Sequence, residues 1–164
     1  MTPSKAPPKT TPEAAPRTTP RRRSRELAMQ GVYQWIYTGD ATRTVLKNLS
    51  ELEGYERADE DFLKAELKGT IESVEGLRGH LEPLADRKWD EVSPVERAIL
   101  LIGAWEIVHK PEIPYKVTIN EAIELGKRFG GTDGHKYVNG VLDRLAAAVR
   151  PDEVAEKRKQ RNAK

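Results

Sequence analysis

Apolar residues recur along most of this 164-residue chain at the three- and four-residue spacing of helices. Leu27, Gly31, Val32, Trp35 and Ile36 form one stripe, with Ser24 placed as an N-cap and Gly39 just past the end. Val45, Leu46 and Leu49 mark a short helix. Beyond the Gly54-Tyr55 turn, Phe62, Leu63, Leu67, Ile71 and Val74 share a face, and Gly76 and Gly79 end or loosen it. Leu81, Leu84 and Ala85 predict another short helix before Trp89.

The next start is written in local chemistry. Ser93-Pro94-Val95-Glu96 combines a capping serine, a proline at the first helical position and a glutamate at the third. The helix it opens carries Val95, Ala98, Ile99, Leu101, Ile102, Trp105 and Val108, apolar nearly all round, as expected in the middle of a bundle. Pro111 and Pro114 stop it. Thr118-Ile119-Asn120-Glu121 reads as a second capping box, opening a helix through Ile123 and Leu125 to Phe129, with Gly130-Gly131 as a left-handed exit. A last helix spans about Gly134 to Val149, with Val138, Val141, Leu142 and Leu145 inward. No segment alternates with period two for long, and no repeat is visible. The pattern predicts an all-α protein: a compact bundle of about seven helices around one core.

Charge adds an asymmetry. Residues 1–25 hold seven Lys/Arg against one acid, residues 26–150 hold 16 against 22, and residues 151–164 hold five against three. The net +2 thus conceals a basic entry, an acidic body and a basic end. Arg21, Arg22, Arg23 and Arg25 concentrate the positive charge where a Pro/Thr-rich arm, residues 1–20, meets the first helix. Such segregation favours a polyanion partner, which releases counterions on binding; a solvated tail has the same composition. The arm reads as disordered, residues 21–151 as the domain and 152–164 as a short basic tail. With no cysteine there is no disulfide and no thiolate metal site, in keeping with a reducing cytoplasm. The longest apolar run, Ala98 to Trp105, is too short to span a bilayer, so no membrane association is expected.

Catalytic patterns are missing. His80, His109 and His135 stand at no metal-ligand spacing, and no nucleophile accompanies them. Neither a metal nor a cofactor is implied. The turn Gly130-Gly131-Thr132-Asp133-Gly134-His135-Lys136 resembles a phosphate-binding loop in composition, but its spacing departs from the Walker pattern and it joins two helices. What remains is a helix start with Lys136 alongside, able to receive a backbone phosphate. Phe129 and Tyr137 flank the turn and Tyr33 lies on the arginine-led helix, rings of the kind on which single-stranded RNA bases stack or which simply complete a core.

Four segments in order resemble the NusB family of bacterial transcription antitermination factors. They are Arg21-Arg22-Arg23-Ser24-Arg25-Glu26-Leu27-Ala28 with Gln30, Tyr33 and Trp35; Val95-Glu96-Arg97-Ala98-Ile99-Leu100; Pro114 through Leu125; and His135 through Asp143. The resemblance implies a non-enzymatic, all-helical RNA-binding protein that pairs with the ribosomal protein NusE on boxA-type single-stranded RNA, within the RNA polymerase antitermination complex on ribosomal RNA operons. It implies RNA contacts from Arg21, Arg22, Arg23, Arg25, Phe129, Lys136, Tyr137 and Asn139, and a partner face near Tyr33, Glu96 and Tyr115. An acidic body suits a basic ribosomal protein. Two other architectures share the pattern. RNA methyltransferases that begin with such a domain need a further doubly wound domain, for which this chain is too short. A helical interaction module whose main state is a homodimer, with RNA binding secondary, fits the sequence as well as a monomer does. The arm and the basic tail are departures from the family pattern.

Overall fold

A computed structural model describes residues 18–163. Eight α-helices follow one another: α1 Pro20–Thr38, α2 Thr42–Ser50, α3 Glu60–Glu72, α4 Val74–Leu81, α5 Pro94–His109, α6 Tyr115–Phe129, α7 Gly134–Val149 and α8 Pro151–Asn162. Single 3-10 turns occur at Tyr55–Arg57, Glu82–Leu84 and Trp89–Glu91, and the described residues contain no strand. α5 is the axis, packed by α1, α3, α4, α6 and α7. Its residues from Ala98 to Ile107 are all buried, as an all-round apolar helix requires. Ser93 caps it, its side chain accepting from the Glu96 N–H at 3.2 Å. The Pro/Thr-rich arm lies outside the described residues up to position 17.

The structure moves several expected boundaries. α1 starts earlier, because Thr19 caps it by accepting from the Arg22 N–H at 3.1 Å and Pro20 takes the first position. Ser24 is therefore inside the helix, fully buried, donating to the Asp59 carbonyl at 2.7 Å. α6 likewise starts at Tyr115, so Thr118 and Glu121 form no capping box; their side chains are used in tertiary pairs. The break between α3 and α4 falls at Ser73, and Gly76 and Gly79 both lie within α4, at whose end Leu81 sits. Gly130 is extended rather than left-handed, and Asp133 carries the positive φ of that turn. Glycine is needed at 130 for space, since a Cβ there would stand 2.7 Å from the Gly126 carbonyl oxygen. Gly126 in turn lets α6 and α7 touch closely, its Cβ position lying 2.8 Å from the His135 Cα.

The basic tail is not a tail. After Pro151 the chain continues as α8, pinned by buried Val154. Arg150 holds the junction by donating to the carbonyls of Glu106, Ile107, Lys110 and Ile113 at 2.7–3.0 Å while pairing with Glu153 at 2.9 Å. It thereby ties the last turn of α5 and the loop after it to the start of α8.

A charged cluster crosses the core. Arg25 of α1 donates twice to Glu106 of α5, at 2.8 and 3.0 Å, and Thr118 of α6 donates to the same carboxylate at 2.6 Å. Glu66 of α3 is fully buried beside them. Burial, followed by the negative charge of Glu106, pushes the Glu66 carboxyl well above the usual carboxylate range. Burial pushes Glu106 the same way, but its neighbours, with Arg25 and Thr118 donating hydrogen bonds to it, outweigh burial and hold Glu106 below that range. Burial beside a carboxylate thus favours the protonated form of Glu66. Between the unfolded-state value of Glu66 and its raised folded value, the folded chain binds one more proton. Stability then falls as pH rises, by about 1.4 kcal/mol per pH unit from this group. Glu66→Gln, whose amide keeps a donor, is expected to remove that slope, so that its advantage over wild type widens in urea melts as pH rises above the ordinary carboxylate range. A constant difference above that range contradicts the assignment.

Candidate nucleic-acid interface

Successive helical residues are turned by about 100°, so four neighbouring arginines cannot form one patch. Arg22 faces α6 and grips Glu121 through Nε and a terminal nitrogen at 3.1 and 2.9 Å. The Glu121 hydrogen bond raises the Arg22 pKa further. Arg23 faces the α2–α3 connection, donating to the Glu53 and Gly54 carbonyls at 2.6 and 3.4 Å and pairing with Glu26 at 3.0 Å. Arg21 turns to the other side, its exposed guanidinium 4.5 Å from the Phe62 ring centroid. Arg25 is buried against Glu106 and 5.0 Å from the same ring. It is not offered to a phosphate, and its expected role as an RNA contact is corrected to a structural one.

Arg22 and Arg23 meet the end of α6 at a residue that sequence reading passed over. Arg128 reaches back to form an ion pair with Glu26, which is buried and also holds Arg23, while its guanidinium lies 5.1 Å from the ring of Phe129. The arginine entry and the aromatic turn therefore share one flank. Two concavities of about 490 and 740 Å³ meet along Thr18, Glu26 and Arg128; Arg22 and Lys127 line the first, Arg23 and Arg57 the second. The Arg128 side chain is 57 % exposed, against 28 % for Arg22 and 16 % for Arg23. The available signal was the doublet Lys127-Arg128 directly before Phe129, in the last turn of a helix where cations also favour the dipole.

Phe129 is half-buried. Lys136 is well exposed, with Asp133 as a loose partner at 3.3 Å. Asn139 is half-buried and lies on the same face of α7 as Lys136, three residues on. Tyr137 faces elsewhere: its hydroxyl donates to the Ala85 carbonyl at 2.7 Å and Arg87 stands 4.0 Å from its ring centroid. Burial raises its pKa. Its face is already stacked, so among the residues expected at this turn it is the least prepared to receive a base.

The three residues expected at a partner face are not together. Tyr33 is 37 % exposed and meets Tyr37, 64 % exposed, edge to face at 5.1 Å. Glu96 is buried under the start of α7, where a Cβ on Gly134 would stand 2.5 Å from its carboxylate. Tyr115 is sealed beneath α8, its backbone N–H donating to Glu153 at 2.9 Å and its hydroxyl pKa raised by burial. Neither Glu96 nor Tyr115 offers a side chain to a docking protein, because α7 and α8 cover them. Tyr37 is the exposed aromatic that the apolar-stripe reading missed.

Among the described residues no group of three or more His, Asp or Glu is arranged to hold a metal, and no helix is long and apolar enough to cross a membrane. The chain is an all-helical bundle with a groove of paired charges on one flank: Arg22, Lys127 and Arg128 stand with Glu26, Glu121 and Glu124 in the first concavity, and Arg23, Arg57 and Arg128 with Glu26 and Glu53 in the second. The NusB family model matches residues 22–147, so this chain belongs to the NusB family. It is 52 % identical over 136 residues to the transcription antitermination protein NusB of Paraburkholderia phymatum, covering 82 % of this chain and 94 % of that protein. The corresponding Cupriavidus pinatubonensis protein is 50 % identical over 133 residues, 81 % and 80 % of the two chains. Among solved structures, T. maritima NusB superposes with a TM-score of 0.73 at 26 % identity, over 85 % of this chain and 99 % of that one. The fold also matches a chain of a complex of antitermination factors NusB and NusE with dsRNA, at TM-score 0.69 and 20 % identity, over 77 % and 96 % of the two. The shared name of the relatives describes a transcription antitermination protein rather than an enzyme.

Proposed function

We propose that this protein acts in the cytoplasm as a transcription antitermination factor, binding boxA-type RNA jointly with the ribosomal protein NusE. The observation that carries the reading is Glu26, which ties Arg23 to Arg128 and so sets the arginine entry beside the Phe129 turn. A guanidinium has five donors. Arg22 spends two of them on Glu121 and keeps others for a phosphate, and Arg128 has most of its surface in solvent. Acid partners fix the position of each cation and lower the entropy lost when RNA arrives. Phe129 supplies the stacking edge; Lys136 and Asn139 extend the donors along α7. Tyr33 with Tyr37 forms the protein-docking face, rigid rings that present large area at small entropic cost.

In a gel shift, boxA RNA is expected to be retained in preference to a scrambled RNA of equal length, and the preference is expected to grow when NusE is added. Equal retention of both RNAs, with and without NusE, overturns the reading.

A further inference from the structure

α8 lies wholly beyond the residues that match the family model. Its Lys157, Arg158 and Arg161 face a groove of about 480 Å³, closed on the other side by Lys116 and Asn120 of α6, with Asp143 of α7 the one acid in its lining. Unlike Arg22, Arg23 and Arg25, none of these four cations makes an ion pair with another described residue. The groove is also built on a fixed base. Val154 and Tyr115 are buried beneath it, and the Arg150 junction holds the start of α8 in place.

The groove and the interface described above share no lining residue, but both are lined by residues of α6. On α6, Lys116, Asn120 and Lys127 fall within about 40° of one another around the axis, and Lys127 also lines the concavity of Arg22 and Arg128. On α7, Lys136, Asn139 and Asp143 share a face in the same way. From Lys116 to Lys127 the helix rises by about 17 Å, room for roughly five phosphates of a stacked strand. Four acids lie along this path, Asp143 in the groove and Glu26, Glu121 and Glu124 in the concavity; Glu26 and Glu121 are paired to arginines and Glu124 lies 3.9 Å from Lys127.

We propose that the α6–α8 groove is a second RNA-backbone site, which holds the phosphates of nucleotides flanking those gripped at the arginine entry. The inference rests on the RNA-binding reading above and extends it to the length of strand bound. The free charge and the run of amide side chains, Asn120 and Gln160, suit sugar and phosphate. A membrane surface is a poor fit, since α8 has one buried apolar anchor and exposes polar residues around the rest of its surface.

The test uses the full chain, with Lys157, Arg158 and Arg161 together replaced by Gln, and two probes: boxA RNA alone and the same RNA lengthened by about six uridines on each side. Wild type is expected to bind the longer RNA more tightly, and the variant to bind both alike and to match wild type on the short one. For the longer RNA the slope of log K against log salt should fall by about two, at roughly 0.7 per phosphate neutralised on a single strand. Asp143→Asn should move the longer RNA the other way, toward tighter binding. If wild type binds boxA RNA but gains nothing from the added length, or if the variant behaves as wild type on both probes, the second site is wrong while the antitermination reading stands. If wild type fails on the short probe, that reading fails by itself. A variant normal on both RNAs but weakened toward NusE assigns the face to protein and overturns the proposal.

Discussion

Arg25→Ala is expected to cost about 3–5 kcal/mol of folding free energy while leaving the RNA affinity of the folded protein close to wild type. The arginine sits in the core with both arms of its fork on Glu106. Removing it leaves the carboxylate of Glu106 buried with only the Thr118 hydroxyl donating to it. A buried charge that loses its counterion keeps its desolvation cost, so the loss is larger than for an exposed pair. Against a total stability of about 5–15 kcal/mol for a domain of this size, such a loss is large. The pH dependence gives a second signature. Glu106 is held below its ordinary range, so its contribution is present above the unfolded-state value and disappears as pH falls through the folded one. The gap between wild type and Arg25→Ala should therefore narrow in acid. Denaturant melts across pH give both quantities. A variant of wild-type stability with weakened RNA binding would return Arg25 to the RNA-binding set.

How the residues of one arginine run came to hold separate roles shows where sequence reading reached and where it stopped. Local chemistry was legible. The Ser93-Pro94 start, the buried α5, the end of α1 at Gly39 and the span of α7 follow from neighbours within a turn. Pairings between distant elements were not legible: Arg25 finds Glu106 across 81 positions, and Arg128 finds Glu26 across 102. Thr118 and Glu121 had the spacing of a capping box, yet Thr118 serves Glu106 and Glu121 serves Arg22, because α6 had already begun at Tyr115. One signal was present and unused. A glutamate inside an otherwise apolar helix must have a counterion, and Glu106 of α5 called for one.

A loss of RNA affinity is expected at the other arginines. Replacing Arg22, Arg23 and Arg128 together by alanine should reduce the affinity for boxA RNA on the order of a hundredfold at about 0.1 M salt and lower the salt slope by about two. Arg22 has a half-buried acid partner, but Arg23 and Arg128 share the buried Glu26, so the triple variant also loses folding stability and its affinity is read on protein shown to be folded under the assay conditions. The share of each should follow its freedom. Arg128, the most exposed and the only one of the three placed over an aromatic ring, should account for the largest single loss, and its removal also strips the cation from the face of Phe129, where a base would stack. Filter binding from low to moderate salt separates this from a general loss of charge, because Lys64→Ala, at an exposed pair on α3, serves as a cation removed elsewhere. If that control lowers affinity and slope as much as Arg128→Ala does, the groove between α1 and α6 is no special receptor and binding is diffuse attraction to the whole surface.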